Sequence, residues 1–158
     1  MNKIDAGFKH GSDFKIGFFN HIHPNVIVGQ SVTIRSYVEL RPHTIIGDNC
    51  YIDSGVKSSG ECSIGNNVTI RYDTIIARNT FIENDVFISP QVMFINIPFK
   101  TKEKKPTIIR KGAKIGTNTT INDGVEIGEG VIIGAKSFVN KDCLELGVYI
   151  GIPARRIS

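Results

Sequence analysis

The sequence predicts an all-β coil in which a short strand and a turn repeat every six residues. Large apolar residues occupy every sixth position from Ile16 to Phe94, with Ser58 as the exception, and the series resumes from Ile109 to Val139. A period of six fits neither a helical face, which recurs at 3.6, nor a plain strand, which recurs at 2. We therefore expect a three-sided prism whose stacked coils bury columns of aliphatic side chains.

A second series of small or β-branched residues runs two positions before the first, as at Val26, Val32 and Val38. Cys50 and Cys62 belong to this series and are twelve positions apart, whereas stacked neighbours in a three-sided coil are eighteen apart. Cys143 follows the last regular coil. We therefore predict three free thiols, in agreement with a reducing compartment.

The 158 residues are long enough for one domain, and 41% of them are apolar. We expect a single β-helix domain over 1–158, in which Phe14, Phe18 and Phe19 seal the first coil against further strand pairing. Its predicted parts are a polar N-terminal cap (1–13), main coils (14–94), an extruded loop (95–107), C-terminal coils (108–142) and a tail that leaves the period (143–158).

The formal charge of +4 does not indicate a nucleic-acid partner, because the basic residues are not interleaved with stacking aromatics. Basic residues beside a groove suit a phosphorylated cofactor or a nucleotide-linked substrate instead. No apolar run approaches the roughly 20 residues of a membrane span, and the N-terminus lacks the apolar core of a signal peptide. We expect a cytoplasmic protein without membrane insertion.

Two features allow more than one interpretation. Ser58 interrupts the inward series, either as a bulge bent by Gly55 and Gly60 or as an indentation for substrate. His21 and His23 flank an inward isoleucine, and alternate residues of a strand share a face, which suits metal binding. The sequence shows no third ligand with suitable spacing, so we expect surface histidines and no metal.

Five phrases share an inward aliphatic residue followed by glycine: IIGDNC, SIGNNV, KIGTNT, EIGEGV and IIGAKS. They resemble the hexapeptide-repeat acyltransferases, the left-handed parallel β-helix family, and the resemblance runs from about Ile16 to Ile157. The left-handed sense is implied by the resemblance. The five glycines are expected at corners, where a residue without a Cβ is useful.

The segment VFISPQVMFIN resembles the pattern V-F-x-x-P-x-V-x-F-x-N of acetyltransferases that act on nucleotide-linked 3-amino sugars. The resemblance implies a catalytic position for Asn96, where those enzymes hold the sugar near its amine. In the family the extruded loop commonly reaches the neighbouring subunit and borders the active site. Outward residues one to one and a half coils before the loop are the substrate-binding candidates: Arg71, Tyr72, Asp73 and Glu83.

The C-terminal phrase GIPAR resembles the G-N-P-A-[KR] of acetyl-coenzyme A users in the family, with Ile152 in place of asparagine. The resemblance implies a parallel homotrimer with acetyl-CoA as co-substrate in the groove between two prisms. Short side chains or backbone amides would line that groove, and basic side chains would meet the phosphates. The cofactor-binding candidates are Gly116, Gly134, Ala135, Lys136, Ser137, Lys141 and Arg155.

These inferences favour an N-acetyltransferase acting on the amine of a UDP- or dTDP-linked amino sugar for surface polysaccharide assembly. An O-acetyltransferase acting on a sugar or serine hydroxyl is the first alternative. A hydroxyl needs a general base, and the loop has no histidine, so His21, His23 or His43 would have to supply one. A non-catalytic β-helix scaffold is the second alternative.

Overall fold

The computed structural model describes residues 1–96 and 105–158. Successive strands belong to successive sheets, and each strand pairs in parallel with the strand one coil later. Ile34, for example, pairs with Ile52, eighteen positions on. The architecture is a left-handed parallel β-helix, as predicted.

The described residues form twenty-four short strands. The first eight are β1 Lys3–Ile4, β2 Lys9–His10, β3 Lys15–Ile16, β4 His21–Ile22, β5 Ile27–Val28, β6 Thr33–Ile34, β7 Glu39–Leu40 and β8 Thr44–Ile46. The next eight are β9 Tyr51–Ile52, β10 Lys57–Ser58, β11 Cys62–Ile64, β12 Thr69–Ile70, β13 Ile75–Ile76, β14 Thr80–Ile82, β15 Phe87–Ile88 and β16 Met93–Phe94. The last eight are β17 Thr107–Ile109, β18 Lys114–Ile115, β19 Thr120–Ile121, β20 Glu126–Ile127, β21 Ile132–Ile133, β22 Phe138–Val139, β23 Val148–Gly151 and β24 Ala154–Arg156.

Every third strand joins the same sheet. Sheet 1 runs from β1 through β4 to β22, sheet 2 from β2 through β5 to β20, and sheet 3 from β3 through β6 to β21, β23 and β24. We call the turns between sheets 1 and 2 edge 1, those between sheets 2 and 3 edge 2, and those between sheets 3 and 1 edge 3.

The core is a set of aliphatic columns along the prism axis. Ile52, Ile70 and Ile88 stack on sheet 3 and are fully buried. In each of these strands the neighbouring residue points outward and is polar or partly exposed, which is the alternation that a half-buried strand requires. The small residues of the second series, such as Val32 and Val68, are buried at the corners.

Most corners contain one residue in the left-handed region of φ, as at Asn49, Asn67 and Asn118, and asparagine tolerates this region well. The glycines of the five phrases lie two positions earlier in the corners, where the missing Cβ is needed, as expected, for packing rather than for a positive φ. A Cβ on Gly116 would lie 2.5 Å from the backbone nitrogen of Ala135 in the next coil. The glycine is required because adjacent coils approach closely there.

The predicted polar cap over 1–13 is wrong. Strands β1 and β2 form the first coil, since Lys3 N donates to Asn20 O at 2.8 Å and Lys9 N donates to Val26 O at 3.0 Å. The six-residue period continues through this first coil. His10 occupies one of its inward positions, so a search for aliphatic residues does not detect the coil.

Aromatic side chains close this end of the prism, although not all of those expected. The rings of Phe8 and Phe14 pack against the core and lie 5.6 Å apart, and His10 stacks on Phe14 at 4.7 Å. Phe18 and Phe19 lie on edge 3 instead and are 70% and 59% exposed.

The C-terminal tail stays with the prism longer than its sequence suggests. Cys143 is buried and bridges to Ile127 in parallel, and Tyr149 pairs with Ile133. The chain then turns back at Ile152 and Pro153, and β24 pairs antiparallel with β23. A hairpin therefore ends sheet 3.

Ser58 is neither a bulge nor an indentation. It pairs in register with Leu40 on one side and Ile76 on the other, and it is buried. Its hydroxyl lies 2.7 Å from the Thr44 hydroxyl and accepts a hydrogen bond from the backbone N–H of Arg41. A small polar network fills the position that an aliphatic side chain takes in other coils.

All three cysteines are buried and unpaired, which confirms the prediction of free thiols. Burial raises the pKa of Cys50, Cys62 and Cys143, in the last case to about 11. Because the thiolate is the reactive form, these side chains are poor nucleophiles in the folded protein.

The predicted loop at 95–107 falls mainly on residues outside the described ranges. Before it, Ile95 N still donates to Ile121 O at 3.0 Å. After it, Thr107 is already buried in β17 and pairs with Thr80. Across residues 1–96 and 105–158, no helix is present that is long and apolar enough to span a membrane.

The stacked core predicts that replacing an inward isoleucine lowers the free energy of unfolding far more than replacing an outward one. We expect Ile70→Ala, at a fully buried site, to lower the free energy of unfolding by about 2–5 kcal/mol. Ile45→Ala, at an outward site that is 46% exposed, is the matched control and should change it by about 0.5 kcal/mol. Equal losses in chemical denaturation would contradict the assigned register.

Candidate functional site

Edge 3 brings together residues that are far apart in sequence. Phe19, Tyr37, Gly55 and Asp73 follow one another at intervals of eighteen, so they stack along this edge. The predicted substrate residues Arg71, Tyr72 and Asp73 lie in its middle. Five predicted cofactor residues lie in its last two turns: Gly116, Gly134, Ala135, Lys136 and Ser137.

A groove of about 500 Å³ opens between edge 3 and the outer face of sheet 1. Its lining is mixed, with aromatic rings at one side and charged groups of both signs at the other. The lining residues are Phe19, His21, Tyr37, Val38, Glu39, Gly55, Lys57 and Asp73. Of these, only Asp73 was predicted to bind substrate. The eighteen-residue spacing identifies Phe19, Tyr37 and Gly55 as its column once the coil is known.

The aromatic side of the groove is a stacked pair. The rings of Phe19 and Tyr37 lie 5.3 Å apart at 13°, and both side chains are more than half exposed. Their backbones have φ values of 59° and 61°, a conformation that bulky residues rarely adopt. Exposed aromatic surface of this kind is typical of a binding site, whereas the left-handed φ is the geometry that most corners of this prism share.

Arg71 is held by a neighbour. Its Nε donates to Asp53 Oδ2 at 3.0 Å, and the Asp53 side chain is only 13% exposed. The guanidinium is therefore oriented along edge 3. Tyr72 and Asp73 beside it are exposed.

Glu83 lies on edge 2, away from the groove. Arg110 Nη1 donates to its Oε1 at 2.7 Å, and the backbone N–H of Lys111 donates to its Oε2 at 2.9 Å. Arg110 Nε also donates to Glu126 at 2.7 Å. The hydrogen bond from Arg110 lowers the pKa of Glu83, against the opposing effect of partial burial. Both carboxylate oxygens of Glu83 thus accept hydrogen bonds from the next coil, and they do not face the groove.

The predicted cofactor residues divide into exposed and buried groups. Ala135 and Lys136 are exposed on edge 3. Ser137 is buried, donates to Gly134 O at 2.7 Å and accepts from Gly151 N at 3.2 Å. The Ser137 hydroxyl makes both hydrogen bonds inside the prism, so the expectation of a surface side chain at this position is corrected.

Asn96 and Lys141 lie on edge 1, on the other side of sheet 1 from edge 3, and both are exposed. Arg155 lies in β24 at the end of sheet 3, where its Nη1 donates to Ala154 O. In the described residues of one chain, the predicted catalytic residue and the predicted cofactor surface therefore belong to different edges.

The histidines have acidic partners that the sequence did not reveal. His21 Nε2 lies 3.1 Å from Asp5 Oδ2, and His23 Nε2 lies 3.2 Å from Glu39 Oε1. Asp5 is the third ligand type that appeared to be missing. Asp5 and His21 are sixteen positions apart and lie diagonally opposite each other in adjacent coils. This spacing becomes meaningful only when the first coil is recognised.

Residues 106–141 match the family model described as bacterial transferase hexapeptide (six repeats). The eighteen-residue ladder, three units of six, continues the same repeat over the rest of the described chain. Over the matched residues the chain is similar to this family.

A curated protein that this chain resembles is the bifunctional protein GlmU of Thermotoga petrophila. It is 26% identical over 199 aligned positions, which cover 96% of this chain and 44% of the relative. The chain thus spans less than half the length of that relative.

Solved structures share the fold. A variant of GDP-perosamine N-acetyltransferase from Caulobacter crescentus, with CoA and GDP-perosamine, superposes with a TM-score of 0.72 at 19% identity, over 80% of this chain and 56% of that one. A variant of the N-acyltransferase AntD from Bacillus cereus, with dTDP and coenzyme A, gives 0.64 at 20%, over 95% and 82%. A galactoside acetyltransferase with coenzyme A gives 0.66 at 29%, over 73% and 64%.

The Glu83 contacts predict a pH-dependent contribution to stability. Because the folded pKa of Glu83 is lowered, its contribution is present above the ordinary carboxyl range and is lost as the pH falls through the lowered value. We expect Glu83→Gln to lower the free energy of unfolding at pH 7 by less than about 1 kcal/mol, since the pair is partly exposed. The difference from wild type should shrink in acid. Glu129→Gln, at an exposed position, is the control and should show no such trend in denaturation curves across pH.

Proposed function

We propose that this hexapeptide-repeat protein is an acetyl-CoA-dependent N-acetyltransferase for the amine of a nucleotide-linked amino sugar. Its setting would be the cytoplasm and its product a precursor of surface polysaccharide. One observation carries the proposal: the groove, with its aromatic pair and charged rim, lies on the same edge as the exposed Ala135 and Lys136 of the last coils. An acceptor and a long donor can thus lie along one edge.

The groove suits the acceptor. The flat pair of Phe19 and Tyr37 offers stacking surface for a nucleobase, a contact that tolerates any base because each has a π face. Lys57 supplies a positive charge for a diphosphate, and Asp73 supplies an acceptor for sugar hydroxyls. The relatives support this choice, since GDP-perosamine and dTDP accompany CoA in two of the matched structures.

The donor would run along the last coils. Gly116 and Gly134 are partly exposed and Ala135 is exposed, and none has a side chain larger than a methyl group, so a pantetheine arm could approach the surface of the coils there. Lys136, Lys141 and Arg155 have no ion pair among the described residues, so their charges are available for the phosphates of acetyl-CoA. Galactoside acetyltransferase, a matched structure of higher identity, also holds coenzyme A.

The site requires more than one copy of the chain. Asn96 lies on edge 1, whereas Asp73 and Lys136 lie on edge 3, and the prism stands between them. A closed homotrimer with parallel axes would bring edge 1 of one copy to edge 3 of the next. We propose that the site forms there.

The chemistry is transfer of an acetyl group from a thioester to an amine. The neutral amine nitrogen attacks the carbonyl carbon, the new C–N bond forms, the C–S bond breaks, and the departing thiolate takes the proton that the nitrogen loses. Asn96 would hold the amine in line with the carbonyl, and such positioning supplies a large part of the rate. No histidine is required, because a sugar amine is less basic than an alkyl amine and is partly neutral near pH 7.

The activity test measures free thiol during incubation of the full chain with acetyl-CoA and a panel of UDP-, dTDP- and GDP-linked amino sugars. We expect thiol release that depends on an amino sugar. Release with hydroxyl acceptors only would replace this proposal by O-acetylation, and no release with any acceptor would favour a scaffold. The buried cysteines of the protein itself should add little signal.

The residue test compares Asn96→Ala with His43→Ala. We expect Asn96→Ala to lose more than about tenfold in kcat/KM, because the amine is no longer oriented. His43, exposed on edge 1 and outside the groove, should tolerate the change. An equal loss from His43→Ala would indicate a histidine base and contradict the mechanism.

Lys136→Ala tests the donor surface. We expect KM for acetyl-CoA to rise by about tenfold with kcat little changed, because a phosphate contact is lost in substrate and transition state alike. Lys15→Ala is the matched control, since Lys15 is exposed on sheet 3 near the opposite end of the prism. A rise in KM from both changes would indicate only a general effect of charge.

A further inference from the structure

Three ligand-bearing side chains meet where edge 1 joins sheet 1 in the first two coils. One potential ligand atom from each of Asp5, His21 and His23 lies within 4.8 Å of the others. All three side chains are between about one quarter and one third exposed, so a small ion can reach them without displacing the core.

The strand geometry arranges the two histidines in advance. His21 and His23 flank inward Ile22, and their rings stack with centroids 3.7 Å apart and an interplanar angle of 22°. Two imidazoles on one face at i and i+2 can turn their nitrogens toward a shared point. The rings need no backbone movement to remain side by side, because β4 is held by β1 and β7 on either side.

Carboxylates complete the donor set. Asp5 Oδ2 lies 3.1 Å from His21 Nε2, and Glu39 Oε1 lies 3.2 Å from His23 Nε2. Two basic groups flank the cluster: Lys3 Nζ lies 4.0 Å from Asp5 Oδ1, and Arg41 Nε lies 3.2 Å from Glu39 Oε1.

We propose that Asp5, His21 and His23 form a binding site for a divalent cation of the zinc class, with Glu39 or water as the fourth ligand. Two nitrogen donors and one or two oxygen donors match the ligands that Zn²⁺ takes, at bond lengths of about 2.0–2.2 Å. Asp5 Oδ2 and His21 Nε2 already lie 3.1 Å apart, and a ligand atom of His23 lies within 4.8 Å of a ligand atom of each.

The proposal reverses the sequence-based expectation of no metal, and the reason is the first coil. The histidine pair alone offers two ligands, whereas Asp5 joins them only because β1 stacks on β4. The ion would connect coil one to coil two, and through Glu39 to coil three. It would therefore act as a clamp between the first coils at the N-terminal end of the prism, beside the groove that His21 and Glu39 also line.

The test uses the full chain after removal of metals with a chelator. In calorimetric titration with Zn²⁺ we expect one ion per chain, and in a thermal melt we expect Zn²⁺ to raise the midpoint. Co²⁺ in place of Zn²⁺ should give the visible absorption of a coordinated ion. Both His23→Asn and Asp5→Asn should weaken Zn²⁺ binding by more than about tenfold.

His43→Asn is the matched control, because His43 is also an exposed edge-1 histidine but lies outside the cluster. Its Zn²⁺ affinity should equal that of wild type, and circular dichroism should show that all variants keep the β fold. Absence of binding by the wild type would overturn the proposal. Equal weakening in His43→Asn and His23→Asn would also overturn it, since the ion would then be bound by scattered surface histidines.

Discussion

The ladder of backbone hydrogen bonds between residues eighteen apart is the constraint on which the rest of the structure depends. Each coil is a strip of two- and three-residue strands that cannot bury an apolar face alone, so the coil is stable only between neighbours. The close approach of the coils explains the glycines that would clash with the next backbone, such as Gly116. The left-handed corner residues recur every six positions, so most corners share one backbone geometry.

This register was largely predictable from sequence, and its failures have physical causes. Aliphatic residues at every sixth position predicted the prism because burial selects them. The first coil was missed because His10 stands at an inward position near an exposed end, where no aliphatic residue is needed. The last strands were missed because the chain between Cys143 and Tyr149 departs from the six-residue step while the ladder continues.

The candidate site was harder to predict, because it depends on neighbours eighteen apart rather than six. Asp73 was found in the groove, but Phe19 and Tyr37 had been assigned to other roles or to none. Glu83 was predicted to bind substrate, and only its hydrogen bonds to Arg110 and Lys111 show that it links coils. Ser137 illustrates the same limit, since a small polar residue gives no sign of which way its hydroxyl points.

The proposed activity depends on edges of different copies meeting. Mixing inactive copies tests this directly: one variant carries Asn96→Ala on edge 1, and the other carries Tyr37→Ala with Asp73→Asn on edge 3. After unfolding and joint refolding at equal amounts, about a quarter of the sites should combine two intact edges, so about a quarter of the wild-type rate should return. If the mixture stays as inactive as its two components, the site does not form between copies and the account is wrong.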